Sequence, residues 1–196
     1  MSKHKTFPVR IPRFAAGIRA QESRTGSGRS WWAKEWVHRL EAMGLKGRLG
    51  RGKNYAVSGQ VVSMTIAGNH VNARVQGTRA EPYEVSIRFR LPEADVQDRI
   101  IAAIRQEPML VARLLADDMP TEVEEIFRAE GLDLFPGGKL GPRKYDMTTS
   151  CSCPDYANPC KHTSAALLIL GEEVSRRPAT LLEFRGIRLE DLCDED

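Results

Sequence analysis

Cysteine is scarce in this chain, with four among 196 residues. So few thiols cannot supply the dense disulfide framework of a small secreted domain. Cys151 and Cys153 are also too close to bridge each other without straining the disulfide torsion. Long apolar runs are missing as well. The longest, AALLIL from Ala165 to Leu170, falls far short of the roughly 20 residues a membrane-spanning helix needs. The opening MSKHKTFPVRIPRFAAG lacks the apolar stretch of a secretory signal. A cytoplasmic protein with no membrane partner is therefore expected. No internal repeat or heptad pattern is visible. Nor is there a catalytic set: His4, His38 and His70 are scattered, and linear order cannot pair the acids. Neither an enzyme nor a small-molecule substrate is expected.

Acidic charge is sparse at one end. Residues 1–53 hold 13 Lys and Arg against 3 Asp and Glu, and the remainder hold 16 against 23. The overall charge of +3 thus hides a basic third on an acidic body. Such asymmetry points to an anionic partner, usually nucleic acid. The plainer alternative is a solvated tail that aids solubility.

Along the chain, residues 1–29 form a basic arm with a linker-like QESRTGSGRS, expected to be flexible. Residues 30–91 read as a helix followed by an antiparallel sheet. Ser30 is placed to cap WWAKEWVHRLEAMG, whose Trp32, Trp36, Leu40 and Met43 share one face, and Gly44 is a stop signal. All three tryptophans lie here, as docking side chains or as a base-stacking platform. The segments YAVSGQVVSMTI, HVNARVQG and YEVSIRFR read as strands. Val71, Ala73 and Val75, then Val85, Ile87 and Phe89, alternate with polar residues, so each strand has one buried face. Gly68 and Asn69 supply a hairpin turn.

Residues 92–142 change to a helical period. Pro92, Pro108 and Pro120 each stand where a helix begins. The stretch 92–131 carries ten acids against four bases, which makes it a poor phosphate surface. A module over residues 143–196 then holds the cysteines, a helix from about His162 to Leu170 ended by Gly171, a short helix in RPATLLEFRG, and an acidic tail.

Within that module, CSCPDYANPCKH places Cys151, Cys153, Cys160 and His162 in a Cys-x-Cys, six-residue, Cys-x-His pattern. Zinc takes four such ligands in a tetrahedron. On an extended segment the two-residue period puts Cys151 and Cys153 on one face. Pro154, Asn158 and Pro159 let the chain turn back. Cys160 and His162 then meet a helix N-terminus, whose dipole favours a thiolate. Four protein ligands close the site and leave no open position, so the zinc is expected to be structural. The alternative is a chance cluster of buried thiols around a core histidine. Cys193 is a bystander on the acidic tail.

GRLGRGKN, residues 47–54, nearly matches a phosphate-binding loop. That motif needs a strand before it and a helix after it, and here the order is reversed. What remains is a basic, glycine-bearing loop with Arg48, Arg51 and Lys53, suited to a nucleic-acid backbone or serving as a solvated connector. With Lys161, Arg143 and Lys144 these form the candidate nucleic-acid contacts.

CSCPDYANPCKHTSAALLIL resembles the SWIM zinc finger, and WWAKEW, GRGKNYAVSGQVVSMTI, NHVNARVQGTRAEPYEVSIRF and MPTEVEEIF resemble the body of bacterial SWIM zinc finger proteins. Residues 30–185 are covered. The resemblance implies zinc ligand roles for Cys151, Cys153, Cys160 and His162, and binding to DNA or protein. It also links such modules to helicase-like Swi/Snf-type ATPases, Mutator-type transposases and some kinases. The expectation is an α+β protein: a small antiparallel meander or barrel with packed helices and a C-terminal SWIM-type finger. Its expected role is a DNA-binding accessory protein working with a helicase-like ATPase, or alternatively a protein-interaction adaptor using the finger and acidic helices.

Overall fold

The computed structural model describes residues 11–21, 30–136, 146–155 and 157–193, and of residues 44–46 the backbone alone. Helix α1, Trp31–Leu40, buries Trp36 and Leu40 completely. Trp31, Trp32 and Met43 pack at the edge of the same core. Each indole N–H donates to a backbone carbonyl: Trp31 to Met119 at 2.7 Å, Trp32 to Ser175 at 3.3 Å, Trp36 to Leu167 at 3.1 Å. The tryptophans dock α1. Ser30 stands before the helix, but its hydroxyl makes no capping bond.

Gly44 does not stop this helix. A π-helical turn, Glu41–Leu45, leads straight into α2, Lys46–Val57. The expected basic loop is therefore helical. Gly47, Gly50 and Gly52 each cost a helix interior about 1 kcal/mol against alanine, which is why the segment reads as a loop. Packing overrides that preference. Leu49, Gly52, Tyr55 and Ala56 recur at helical spacing and are buried. At Gly52 a β-carbon would fall 2.6 Å from the Ser164 side chain, so only glycine lets α2 lie this close to the helix beneath it.

Four strands form an open antiparallel sheet in the order β1 (Val61–Ala67), β2 (His70–Val75), β3 (Tyr83–Phe89), β4 (Met147–Cys151). The alternation expected for β2 and β3 holds: Val71, Ala73, Val75, Val85, Ile87 and Phe89 are all buried. The strand expected to begin at Tyr55 starts at Val61, because Tyr55, Ala56 and Val57 complete α2. Gly68 turns the β1–β2 hairpin at φ +54°. The fourth strand comes from the finger. It pairs with β3 from Phe89↔Met147 to Val85↔Cys151, although the acidic helices α3 (Ala94–Arg105), α4 (Pro108–Leu115) and α5 (Thr121–Ala129) intervene in sequence.

Helix α6, Lys161–Arg176, lies at the centre, against all four strands and against α1 and α2. It is buried nearly all round, as a helix between two layers must be. Gly171 does not end it. A β-carbon there would stand 2.6 Å from the Trp36 indole, so this glycine admits the ring. Beyond it come α7, Thr180–Glu183, and α8, Leu189–Cys193, with Cys193 exposed. Phe184 stacks on Phe89 with ring centres 4.0 Å apart, and Trp36 closes the trio at 6.2 and 6.4 Å. One hydrophobic cluster runs from Ala20 to Leu192.

The described part of the arm, residues 11–21, is a strap along this body. Ala20 is buried, and Gly17, Ile18 and Ala20 donate backbone bonds to Gly59, Val61 and Ala56. Arg13 donates to the carbonyl of Gly77 at 2.9 Å. The remainder of the arm expected to be flexible, 1–10 and 22–29, lies outside the described residues.

Candidate metal centre

Two arms build the cluster. Cys151 ends β4, and Cys153 follows two residues on, both half-buried. Cys160 is the N-cap of α6 and 2% exposed, and His162 sits in the first turn at 4%. The turn between them is tied back by Asn158, whose amide donates to the Thr149 carbonyl at 2.6 Å and accepts from the Thr149 hydroxyl at 2.7 Å. Arg48 of α2 donates to the Pro159 carbonyl at 3.2 Å. The Ser164 hydroxyl donates to the Cys160 carbonyl at 2.9 Å, which sets the first turn of α6.

The three Sγ atoms and one imidazole nitrogen lie within 4.8 Å of one another. His162 Nδ1 is 3.7 Å from the Cys160 sulfur and 3.9 Å from that of Cys151. A tetrahedron with Zn–S near 2.3 Å and Zn–N near 2.0 Å has edges of about 3.5–3.8 Å. The donor set therefore fits zinc in identity and spacing. Because Nδ1 faces the sulfurs, the ring proton belongs on Nε2 when metal is bound. That atom is buried with no hydrogen-bond partner among the described residues. It lies beside Gly77, where a β-carbon would come within 3.2 Å of it and 2.4 Å of the Tyr83 ring. The imidazole is held between Tyr83 and Tyr55, at 4.5 and 5.3 Å.

The thiols are polarised among themselves. A hydrogen bond from Cys151 drives the Cys160 thiol down, to about 2, against the opposing effect of burial, and His162 assists. The same bond, together with burial, pushes Cys151 up. Burial raises Cys153. Cys160 at the helix N-terminus is thus the natural thiolate, as the dipole argument expects. The other two must release protons when metal binds.

Three thiolates and an imidazole on a strand end and a helix start make this a zinc-finger protein of mixed α and β structure. The finger is a SWIM zinc finger, whose family profile matches residues 143–171. The chain is also 36% identical over 185 residues to the uncharacterized protein Rv2102 of Mycobacterium tuberculosis. That similarity covers 94% of the chain and 65% of the relative, so the chain spans just under two thirds of that protein's length. No solved structure matches.

The candidate basic residues are divided by the fold. On α2, Arg48, Arg51 and Tyr55 follow one another at three- and four-residue steps and so share a flank. That flank faces the finger, since Arg48 touches Pro159 and Tyr55 touches His162. Lys53 projects from the other side of the helix. Lys161 lies over the Tyr55 ring, its Nζ 5.0 Å from the ring centre. Arg143 and Lys144 lie outside the described residues. Sequence reading missed Arg79, whose guanidinium lies 5.6 Å over the Tyr83 ring. Its one signal was its place in a glycine-led loop straight after a strand. No helix among the described residues is long and apolar enough to cross a membrane.

Proposed function

We propose that the chain is a zinc-stabilised nucleic-acid-binding protein, with DNA as its partner and the finger side of α2 and α6 as its contact face. The observation that carries this reading is the packing of α2 on α6. It brings Arg48 and Arg51, distant in sequence, to the same side as Lys161. Zinc's part is to hold β4 and the start of α6 in register. With four protein ligands no position is left for substrate, so the reading is binding and not catalysis. Work alongside a helicase-like ATPase follows from the family resemblance alone.

The test is fluorescence anisotropy of zinc-loaded full-length protein with labelled duplex and single-stranded DNA. Affinity is expected to fall steeply between 50 and 200 mM salt, as it does when several phosphates are contacted. R51Q should weaken both probes alike. No affinity at 50 mM salt overturns the reading. An adaptor role would then lead, favoured by the acidic block, where α4 leaves Met109 and Leu115 exposed. Co-purification from the native cell would identify an ATPase or other protein partner.

A further inference from the structure

Beside the metal centre lies a cleft of about 230 Å³, lined by Thr78, Arg79, Tyr83, Asp155, Lys161 and His162 among others. One wall is the β2–β3 loop and the other is the finger. We propose that this cleft is a phosphoryl-binding site, with Arg79 and Lys161 as its two cations. The proposal deepens the nucleic-acid reading and rests on it for the source of the phosphoryl group, a backbone phosphodiester.

Several features make the cleft a built site. Its cations come from different elements, and each lies on a tyrosine ring: Arg79 over Tyr83, Lys161 over Tyr55. Stacking of this kind holds a long side chain in place while leaving its N–H donors free. Neither cation is in an ion pair among the described residues. The loop that carries Arg79 is fixed from both sides. The buried Gln76 amide donates to the carbonyls of Arg79 at 2.7 Å and Gly77 at 3.2 Å. The Arg13 amide of the strap donates to Gly77 from outside. Lys161 is held by its place as first residue of α6 and by the Tyr55 ring beneath it. Little ordering cost therefore remains for a ligand to meet.

Two negative groups are close. Asp155 stands at the rim, and one of its oxygens already accepts from the Ala157 amide at 3.1 Å. A zinc ion with three thiolates carries one net negative charge. Arg48 and Arg51, on the flank of α2 that faces the finger, add positive charge on the finger side. A single phosphate held by two pre-oriented cations is the ligand that fits.

The test compares wild type, R79Q, K161Q and R79Q/K161Q as zinc-loaded full chains, with R99Q on the acidic block as control. Zinc content and melting temperature confirm that each variant is folded. In DNA anisotropy titrations each cleft variant should weaken binding about 3- to 10-fold at low salt. Each should also lower the slope of log K against log salt by about one, and R99Q should change neither. In a second arm, inorganic phosphate is titrated while backbone amide shifts are followed by NMR. Thr78, Arg79 and Lys161 should move in wild type and stay still in the double variant. If wild type binds DNA and the double variant binds equally well with the same slope, the cleft proposal falls and the nucleic-acid reading stands. If wild type binds no DNA, that reading falls. Phosphate-induced shifts would then still support the cleft, as a site for a free phosphoryl ligand, and their absence would overturn it.

Discussion

Cys151 pairs directly across the β ladder with Val85, so the first metal ligand is also the last residue of the fourth strand. Metal binding is thereby coupled to the sheet edge and to α6 together. Chelation, or the substitution His162→Ala, is expected to raise amide exchange along β4 and at Ser152, whose N–H is bonded to the Glu84 carbonyl. The first turn of α6 should loosen with them, while the β1–β2 hairpin keeps its protection. Elemental analysis should find about one zinc per chain. Undiminished protection of β4 after metal removal would show that the strand stands without the metal.

The contact between Gly52 and Ser164 gives a second expectation. A β-carbon at Gly52 would lie 2.6 Å from the Ser164 side chain and 2.9 Å from the backbone of α6. Gly52→Ala must therefore push two packed helices apart, at a cost of about 1–3 kcal/mol. Gly50, two residues earlier in the same helix, faces open space. Gly50→Ala should instead stabilise by about 0.5–1 kcal/mol. Urea midpoints of the two variants should move in opposite directions. Equal shifts would mean that helix propensity, and not the interhelical approach, governs both sites.

These two glycines also show where the sequence could and could not be read. The metal ligands were legible because a Cys-x-Cys and a Cys-x-His need only local geometry to converge. The alternation of Val85, Ile87 and Phe89 was legible for the same reason. The helix over residues 46–57 was not. Its glycines argue against a helix until α6, more than a hundred residues later, is known to lie against them. Gly171 misled in the same way, since a glycine after an apolar run looks like a stop until Trp36 is seen to occupy its space. Arg79 escaped notice because its role depends on a loop held by Gln76 and on a finger residue 82 positions away.

The strap leads to a third expectation. At Gly17 a β-carbon would fall 2.2 Å from the Val61 carbonyl oxygen and 2.7 Å from that of Gly59. No side chain fits there without moving the strap off β1. Gly17→Ala should break the bonds from Gly17 and Ile18 to Gly59 and Val61. Trypsin should then cut after Arg13 and Arg19 many-fold faster than in wild type. Cleavage at the wild-type rate would show that the strap tolerates the side chain, and that Gly17 does not hold the arm to the body.

Arg185 carries the last prediction. It is 4% exposed, and its guanidinium makes four hydrogen bonds. It donates to the carbonyls of Leu134 at 3.3 Å, Phe135 at 3.1 Å and Arg90 at 3.2 Å, and it pairs with the Asp146 carboxylate. One planar fork thus joins the end of β3, the segment after α5 and the residue that leads into β4. Removing the guanidinium takes the donor from three carbonyls and a partner from the Asp146 carboxylate, at a cost of about 3–5 kcal/mol. Arg185→Met should lose about that much stability, and exchange should quicken at Arg90, whose amide is bonded to the Asp146 carbonyl. Arg185→Lys is the sharper test. It keeps the charge, but a single ammonium cannot span three carbonyls and a carboxylate in a fixed plane. If geometry is what matters, lysine should recover less than half of the loss. A lysine variant as stable as wild type would mean that charge alone at this position suffices.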